Sequence, residues 1–241
     1  MRITFVGTSH GVPEPNRKCS SYLLEVGENV YFVDMGTHPI EALRSRGISV
    51  DAVKGVFITH MHGDHVNGLV PFADLVTWYF KTPDPVICVP DPSVKELLCR
   101  WLEMTTKGFT KDLRFVKTEP GVVYDDGVLR ATAIPTQHCG ASFSYLVEAE
   151  GKAVLFTGDL KHPTVDYPVS ALEREPELIV CEGAHFSPEE YIPLYSKYPV
   201  KKVCVTHYQN MFIPGILKLQ EAMAEQGVPV IMGTDGLEIC V

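Results

Sequence analysis

The chain has 241 residues, 45% of them hydrophobic, and carries a net charge of −9. That is enough apolar material for a large core, and one domain over 1–241 is expected, since layered α/β folds reach this size as single domains. The acidic balance argues against a long RNA gripped by a broad basic surface. It leaves room for a small anionic substrate, because bound divalent cations would invert the local field. No apolar run is long enough to cross a bilayer, so no membrane association is expected. Residues 1–7 read as a strand and a glycine turn rather than a secretory leader. Seven cysteines without paired spacing (Cys19, Cys88, Cys99, Cys139, Cys181, Cys204 and Cys240) fit reduced thiols and a cytoplasmic location.

Residues 2–6 alternate as a strand and run into Gly7-Thr8-Ser9-His10-Gly11-Val12-Pro13, a loop punctuated by glycine and proline. Residues 20–26 and 29–34 read as paired strands about Gly27-Glu28, the second closing on Asp34-Met35-Gly36-Thr37. Asp34, at the tip of an apolar strand, fits a carboxylate that orients a histidine or a water; the alternative is a turn-initiating aspartate. Residues 38–46 are helical and stop at Gly47. The strand 53–59 then feeds Thr59-His60-Met61-His62-Gly63-Asp64-His65. His60 and His62, two apart, can aim at one cation. Asp64 and His65 follow Gly63, which allows a sharp turn toward a second. Neutral imidazoles and carboxylates suit zinc, manganese or iron.

A long helix is expected over 66–80, with Pro71 near its start and Trp78, Tyr79 and Phe80 on its core side. A strand over 86–89 follows, then a helix from Asp91-Pro92-Ser93 to about Thr106. Strands over 113–117, 122–124 and 128–134 lead to Pro135-Thr136-Gln137-His138-Cys139-Gly140. A hairpin about Glu150-Gly151 then ends at Thr157-Gly158-Asp159. The strand 178–181 ends in Glu182-Gly183-Ala184-His185. A helix capped by Ser187-Pro188 reaches Lys197. The strand 202–206 ends at His207, a helix spans 211–226, and strands over 228–232 and 237–241 close the chain.

A pattern recurs: an apolar strand ends, and a histidine or carboxylate stands at its tip. Asp34, the His60–His65 cluster, His138, Asp159, Glu182 with His185, and His207 all occupy that position. Strand tips share one edge of a sheet, so these residues can meet there.

Together with Ser20-Ser21-Tyr22-Leu23-Leu24, Asn67-Gly68-Leu69 and Thr206-His207, these motifs resemble the metallo-β-lactamase-fold hydrolases, and most of all their ribonuclease Z-like phosphodiesterase branch. The resemblance spans nearly the whole chain in the family's order. It implies an αββα sandwich, two mixed β-sheets flanked by helices, with a metal site at one sheet edge. It further implies that His60, His62 and His138 bind one divalent ion, that Asp64, His65 and His207 bind a second, and that Asp159 bridges them. Two such ions, zinc foremost with manganese or iron as alternatives, would activate a bridging water as hydroxide, which Asp64 could position.

Two departures from ribonuclease Z bear on the substrate. That family carries a tRNA-gripping arm between the histidine matching His138 and the bridging aspartate; here a short hairpin takes its place. The family's His-Glu-Ala-Thr loop corresponds to Cys181-Glu182-Gly183-Ala184, so the histidine position is a cysteine while Glu182 is kept. His185 either replaces the missing imidazole as a leaving-group acid or phosphate contact, or is a surface or structural histidine. His10 and Lys161-His162 are weaker candidates for substrate contact, each with a plain loop reading beside it. Cys139 and Tyr208 read as packing residues.

The expected function is therefore dinuclear-metal hydrolysis of a small or cyclic phosphodiester or nucleotide-type substrate. A lactonase or thioesterase-type hydrolase, or a non-catalytic metal-binding module, is the alternative. The expected partner is a small anionic molecule, with a homodimer left open.

Overall fold

The computed structural model describes residues 1–105 and 111–241. Two seven-stranded sheets form its centre. The first contains β1 (Arg2–Gly7), β2 (Ser21–Val26), β3 (Asn29–Met35), β4 (Val53–Phe57), β5 (Val86–Val89) and β6 (Arg114–Lys117) in that order, with β14 (Glu238–Cys240) beside β1. The second runs β7 (Gly121–Asp125), β8 (Leu129–Pro135), β9 (Phe143–Ala149), β10 (Lys152–Phe156), β11 (Leu178–Gly183), β12 (Val203–Tyr208) and β13 (Val230–Met232).

Both sheets are mixed in the same way. From β14 to β3, and from β7 to β10, neighbours are antiparallel; from β3 to β6, and from β10 to β13, they are parallel. Direction decides where side chains meet. β3 and β4 run together, so Asp34 and Thr59 emerge at one edge. β8 and β10 are both antiparallel to β9 and therefore run together; β11 and β12 follow β10. The loops carrying His138 and Asp159 and the strand ends carrying Glu182 and His207 thus meet at one edge of the second sheet.

The facing surfaces enclose an apolar layer that includes Phe5, Tyr31, Phe57, Tyr145 and Phe156. Helices cover the outer faces. On the first sheet, α1 (Pro39–Arg44), α3 (Leu69–Leu75) and α4 (Val94–Thr105) contribute Leu43, Phe72 and Leu98 to one cluster; on the second, α6 (Ile192–Tyr195) and α7 (Ile213–Ala224) contribute Tyr195 and Leu219 to another. Burial on both faces explains why the parallel strands read as unbroken apolar runs. Among the described residues, no helix is long and apolar enough to cross a membrane.

The expected 66–80 helix is instead three pieces. A short α2 (Gly63–Val66) already holds Asp64 and His65, α3 follows after Asn67-Gly68, and a wider π turn spans Val76–Phe80. Gly68 causes the break: its N–H donates to Met35 O at 2.6 Å, and a Cβ there would lie 2.1 Å from Thr37 O. Pro71 sits in the first turn of α3, where a missing N–H costs nothing. Trp78 and Tyr79 are exposed rather than in the core, because the π turn rotates them outward. Gly63 opens α2 without the left-handed backbone that a sharp turn would need. Ser187 makes no side-chain capping bond, and a 3₁₀ turn over Pro188–Tyr191 precedes α6. Thr106, the expected end of α4, lies outside the described residues.

Candidate metal centre

The cluster at the shared edge is built from both sheets. The first supplies Asp34 from the end of β3, His60 and His62 after β4, and Asp64 and His65 from α2. The second supplies His138 after β8, Asp159 after β10, Glu182 in β11, His185 after it, and His207 in β12. Direct bonds lock the sheets together here: Phe143 N–H donates to Thr59 O at 2.9 Å, and Tyr145 OH donates to Ile58 O at 3.1 Å. Gly158 adopts φ +59°, and a Cβ would press 2.8 Å from Phe143 O, so the turn that delivers Asp159 depends on glycine.

His60, His62, His138 and Asp159 form one group whose ligand atoms converge, and Asp64, His65 and His207 form another; Asp159 also converges with His185 and His207. His62 Nδ1 lies 2.9 Å from His60 Nε2 and 3.2 Å from His138 Nε2. Asp159 sits between the groups. Its Oδ2 is 3.5 Å from His60 Nε2, 3.6 Å from His138 Nε2 and 3.4 Å from His207 Nε2, while its Oδ1 is 3.5 Å from His65 Nε2. Asp64 Oδ2 lies 3.4 Å from His65 Nε2 and 3.8 Å from His207 Nε2.

The histidines are oriented from behind. His65 Nδ1 donates to Asp34 Oδ2 at 2.7 Å, and His207 Nδ1 donates to Ser9 O at 3.0 Å. A carboxylate and a carbonyl can only accept, so both imidazoles carry a proton on Nδ1 and turn Nε2 into the cluster. Asp34 also accepts from the Thr59 N–H at 2.8 Å and from the Thr59 hydroxyl, fixing the start of the His60 loop. Ser20 Oγ lies 2.7 Å from His207 Nδ1.

His65 Nε2 and Asp159 Oδ1 are buried without a hydrogen-bond partner. The two atoms stand 3.5 Å apart, too far for a good hydrogen bond, in a nest of imidazoles and carboxylates whose gaps a shared cation would fill. The donor set therefore fits a divalent metal. Burial, followed by the charge of His65, pulls the His60 imidazole down to about 2, which keeps it a neutral lone-pair donor. Burial alone would raise Asp64, but His65 and His207 outweigh it and hold its carboxyl at about 2.

Glu182 is buried and fully engaged: Oε1 accepts from the Leu160 N–H at 2.6 Å, and Oε2 accepts from the N–H groups of Ala184 and His185 and from His185 Nδ1 at 2.7 Å. Burial lowers the His185 imidazole, yet the bond and charge of Glu182, with the charge of Asp159, hold it up at about 9. Its ring stands 4.5 Å from that of His138.

Other candidates sit elsewhere. His10 meets Glu14 at 3.5 Å and accepts from the Val12 N–H, although its neighbour Gly11 abuts Asp64. His162 caps α5 (Pro163–Asp166) and pairs with Glu190 at 2.5 Å. Tyr208 is buried, with the Arg17 guanidinium 3.8 Å above its ring. Cys139 is half-buried beside Ala141. Thr59 and Ser20 stand in the sequence motifs, but the sequence assigns neither a role. Thr59 stood one place before His60 and carried that hint; Ser20 carried none, because its partner is 187 positions away.

Comparison with known proteins agrees with this architecture. Ribonuclease Z of Listeria monocytogenes serovar 1/2a is 28% identical over 199 residues, which cover 80% of this chain and 64% of the relative. The chain thus spans less than two thirds of the length of that curated relative. Among solved structures, the short form of human tRNase Z superposes with a TM-score of 0.78 at 18% identity, covering 100% of this chain and 99% of that one. The metallo-β-lactamase fold protein YhfI from Bacillus subtilis gives a TM-score of 0.77 at 17% identity, covering 99% and 98%. Fold and site, with a likeness to ribonuclease Z, are those of the metallo-β-lactamase fold. Within it, the chain belongs to the family described as Anti-Pycsar protein Apyc1, whose model matches residues 1–221.

Proposed function

We propose that this protein is a dinuclear-metal phosphodiesterase acting on a small or cyclic phosphodiester or a nucleotide-type substrate. The observation that carries the reading is the convergence of His60, His62, His138 and Asp159 beside Asp64, His65 and His207, with buried lone pairs left over at His65 and Asp159. In this reading His60, His62 and His138 hold one ion, Asp64, His65 and His207 hold the other, and Asp159 serves both. The mixed imidazole and carboxylate set favours zinc, with manganese and iron as alternatives. Such ions would bring the pKa of a water toward neutrality and take up the charge that grows on a phosphoryl oxygen.

The chain's own groups do the rest. Asp34 and Ser9 fix the tautomers of His65 and His207, so both present lone pairs without rearranging. Asp64 orients the attacking water through its carboxylate. His185 donates Nδ1–H to Glu182, which leaves its Nε2–H edge to protonate the departing oxygen. Glu182 acts through His185 rather than on substrate.

The relatives' name, ribonuclease Z, supports phosphodiester chemistry. A smaller substrate is favoured over a long RNA because β9 and β10 join through a tight turn at Glu150-Gly151, with no inserted arm between His138 and Asp159. The net charge of −9 points the same way. The free thiols fit a cytoplasmic setting.

The test is a turnover panel of bis-p-nitrophenyl phosphate, lactones and RNA on zinc-loaded protein, with His62→Ala and Asp159→Ala in parallel. Phosphodiester turnover that falls at least about 100-fold in both variants is expected. Turnover that survives either change, or protein purified without chelator that carries no metal, overturns the reading. Preferential cleavage of lactones or of RNA transfers the site to that substrate class.

A further inference from the structure

We propose that Asp166 is a positioning residue that sets the spacing between His138 and Asp159 and so tunes the metal position they share. The inference rests on the metal-site reading above. Asp166 ends the short helix α5, is 8% exposed, and touches none of the cluster side chains in the bonds it makes. Its carboxylate instead joins two loops. Oδ2 accepts from the Gln137 N–H at 2.7 Å and from the Lys161 N–H at 2.9 Å, and Oδ1 accepts from the His162 N–H at 3.1 Å.

Those donors are the neighbours of the groups that matter. Gln137 precedes His138, and Lys161 lies two residues after Asp159. One carboxylate oxygen therefore sits between the backbone of the loop that aims an imidazole and the backbone of the loop that aims the shared aspartate. The rest of the His138 loop is held at its base, where Thr136 N–H donates to Ser142 O at 2.9 Å and Thr136 Oγ1 donates to Ser142 Oγ at 2.8 Å. These contacts close the loop on itself without setting its distance from Asp159. Glu182 fixes the Asp159 loop from the other side, through Leu160 N–H. Asp34 does for the His60 and His65 segments what Asp166 does here, so the cluster stands on three buried carboxylates, each accepting from backbone one or two residues from a candidate ligand.

The neutral isostere tells positioning from bulk. Asn has the shape of Asp, but its amide nitrogen cannot accept an N–H, so Asp166→Asn loses either the His162 contact alone or the Gln137 and Lys161 contacts that share Oδ2, whereas Asp166→Ser loses all three. Groups behind metal ligands typically change affinity by about 10–100-fold. The position built on His138 depends on Asp166; the one built on Asp64, His65 and His207 is held by Asp34, Ser9 and Ser20.

The experiment is a zinc titration against a chromophoric chelator on metal-free parent, Asp166→Asn and Asp126→Asn. Asp126 is a control carboxylate that also accepts backbone N–H groups, from Val128 and Leu129, but at a turn remote from the cluster. The expected result is one zinc equivalent weakened about 10–100-fold in Asp166→Asn and the second within about threefold of the parent, with both unchanged in Asp126→Asn. Zinc binding in both Asp166→Asn and Asp166→Ser that matches the parent at both equivalents overturns the inference, as does a uniform loss shared with Asp126→Asn. A parent that binds no zinc overturns the metal-site reading instead, so the two failures separate. Asp166→Ser, whose side chain is too short to span the loops, is titrated alongside, and is expected to show the same loss at one equivalent.

Discussion

Asp34 stands in the left-handed region at φ 55°, and His207 does so at φ 48°, conformations that non-glycine residues adopt at some cost. Both residues are repaid locally. Asp34 accepts from Thr59 twice over and from His65, and His207 is held between Ser9 and Ser20. Replacing Asp34 by Ala removes the acceptor for His65 Nδ1 and leaves the Thr59 N–H buried without its partner. Zinc affinity should fall about 10–100-fold. The folded state should also lose about 1–3 kcal/mol, the cost of stranding a buried donor. Chelator competition and urea unfolding read the two effects separately, and an Asp34→Ala protein that binds zinc like the parent would assign Asp34 to the turn alone.

Strand ends do the aiming, and around Asp64 and His65 close backbone contact sets their spacing. Gly36, just past β3, is the tightest case: an added Cβ would lie 1.8 Å from Asp64 O and 2.7 Å from Ser20 O. Gly36→Ala must push α2 away from β3 and carry Asp64 and His65 with it. A loss of about 3 kcal/mol, the upper end for overpacking, is expected in denaturant unfolding, with phosphodiester turnover falling further than stability explains. The strands and their chemical tips were legible in the sequence because apolar runs ending at His or Asp are local patterns. β4 with Thr59–His65 is the clearest example, and β12 with His207 is another. What stayed hidden depended on distant partners. Gly68 breaks the helix after His65 because it packs on Thr37, which no periodicity reports. The four-residue α5 is too short to leave a pattern, yet it carries Asp166. Trp78 and Tyr79 followed a helical stripe that the π turn rotated into solvent. The seven candidate ligands were visible one at a time, whereas their mutual distances came from two sheets whose strands run toward a common edge.

The two sheets are clasped at opposite ends of their shared apolar layer. At one end stands the cluster. At the other, Asp126 Oδ2 accepts from Tyr31 OH at 2.7 Å and from Tyr124 OH at 2.9 Å, tying β3 of the first sheet to the turn between β7 and β8 of the second. Each clasp answers to a different variable. On the metal-site reading proposed above, zinc would bind the folded chain far better than the unfolded one, so stripping it should lower the unfolding free energy, by about 2.7 kcal/mol if free metal stood at 100 times its Kd. The Asp126 clasp answers to pH. Burial would raise its carboxyl, but the Leu129 and Val128 N–H groups and the Tyr31 and Tyr124 hydroxyls together lower it. A carboxyl depressed by folding adds stability above its unfolded pKa of about 3.9, and that stability is lost as pH falls through the lower folded value. Asp126→Asn should therefore unfold at a lower temperature than the parent at pH 7, with the gap closing below about pH 4. Since the clasps share no residue, their effects should add: chelator should shift the unfolding free energy of Asp126→Asn by the same amount as that of the parent, within about 0.5 kcal/mol. Calorimetry of parent and variant, each with and without chelator at pH 7, completes the cycle. A coupling well above that margin would mean that the sheets move as one hinge, and that the metal end senses the far end through the apolar layer between them.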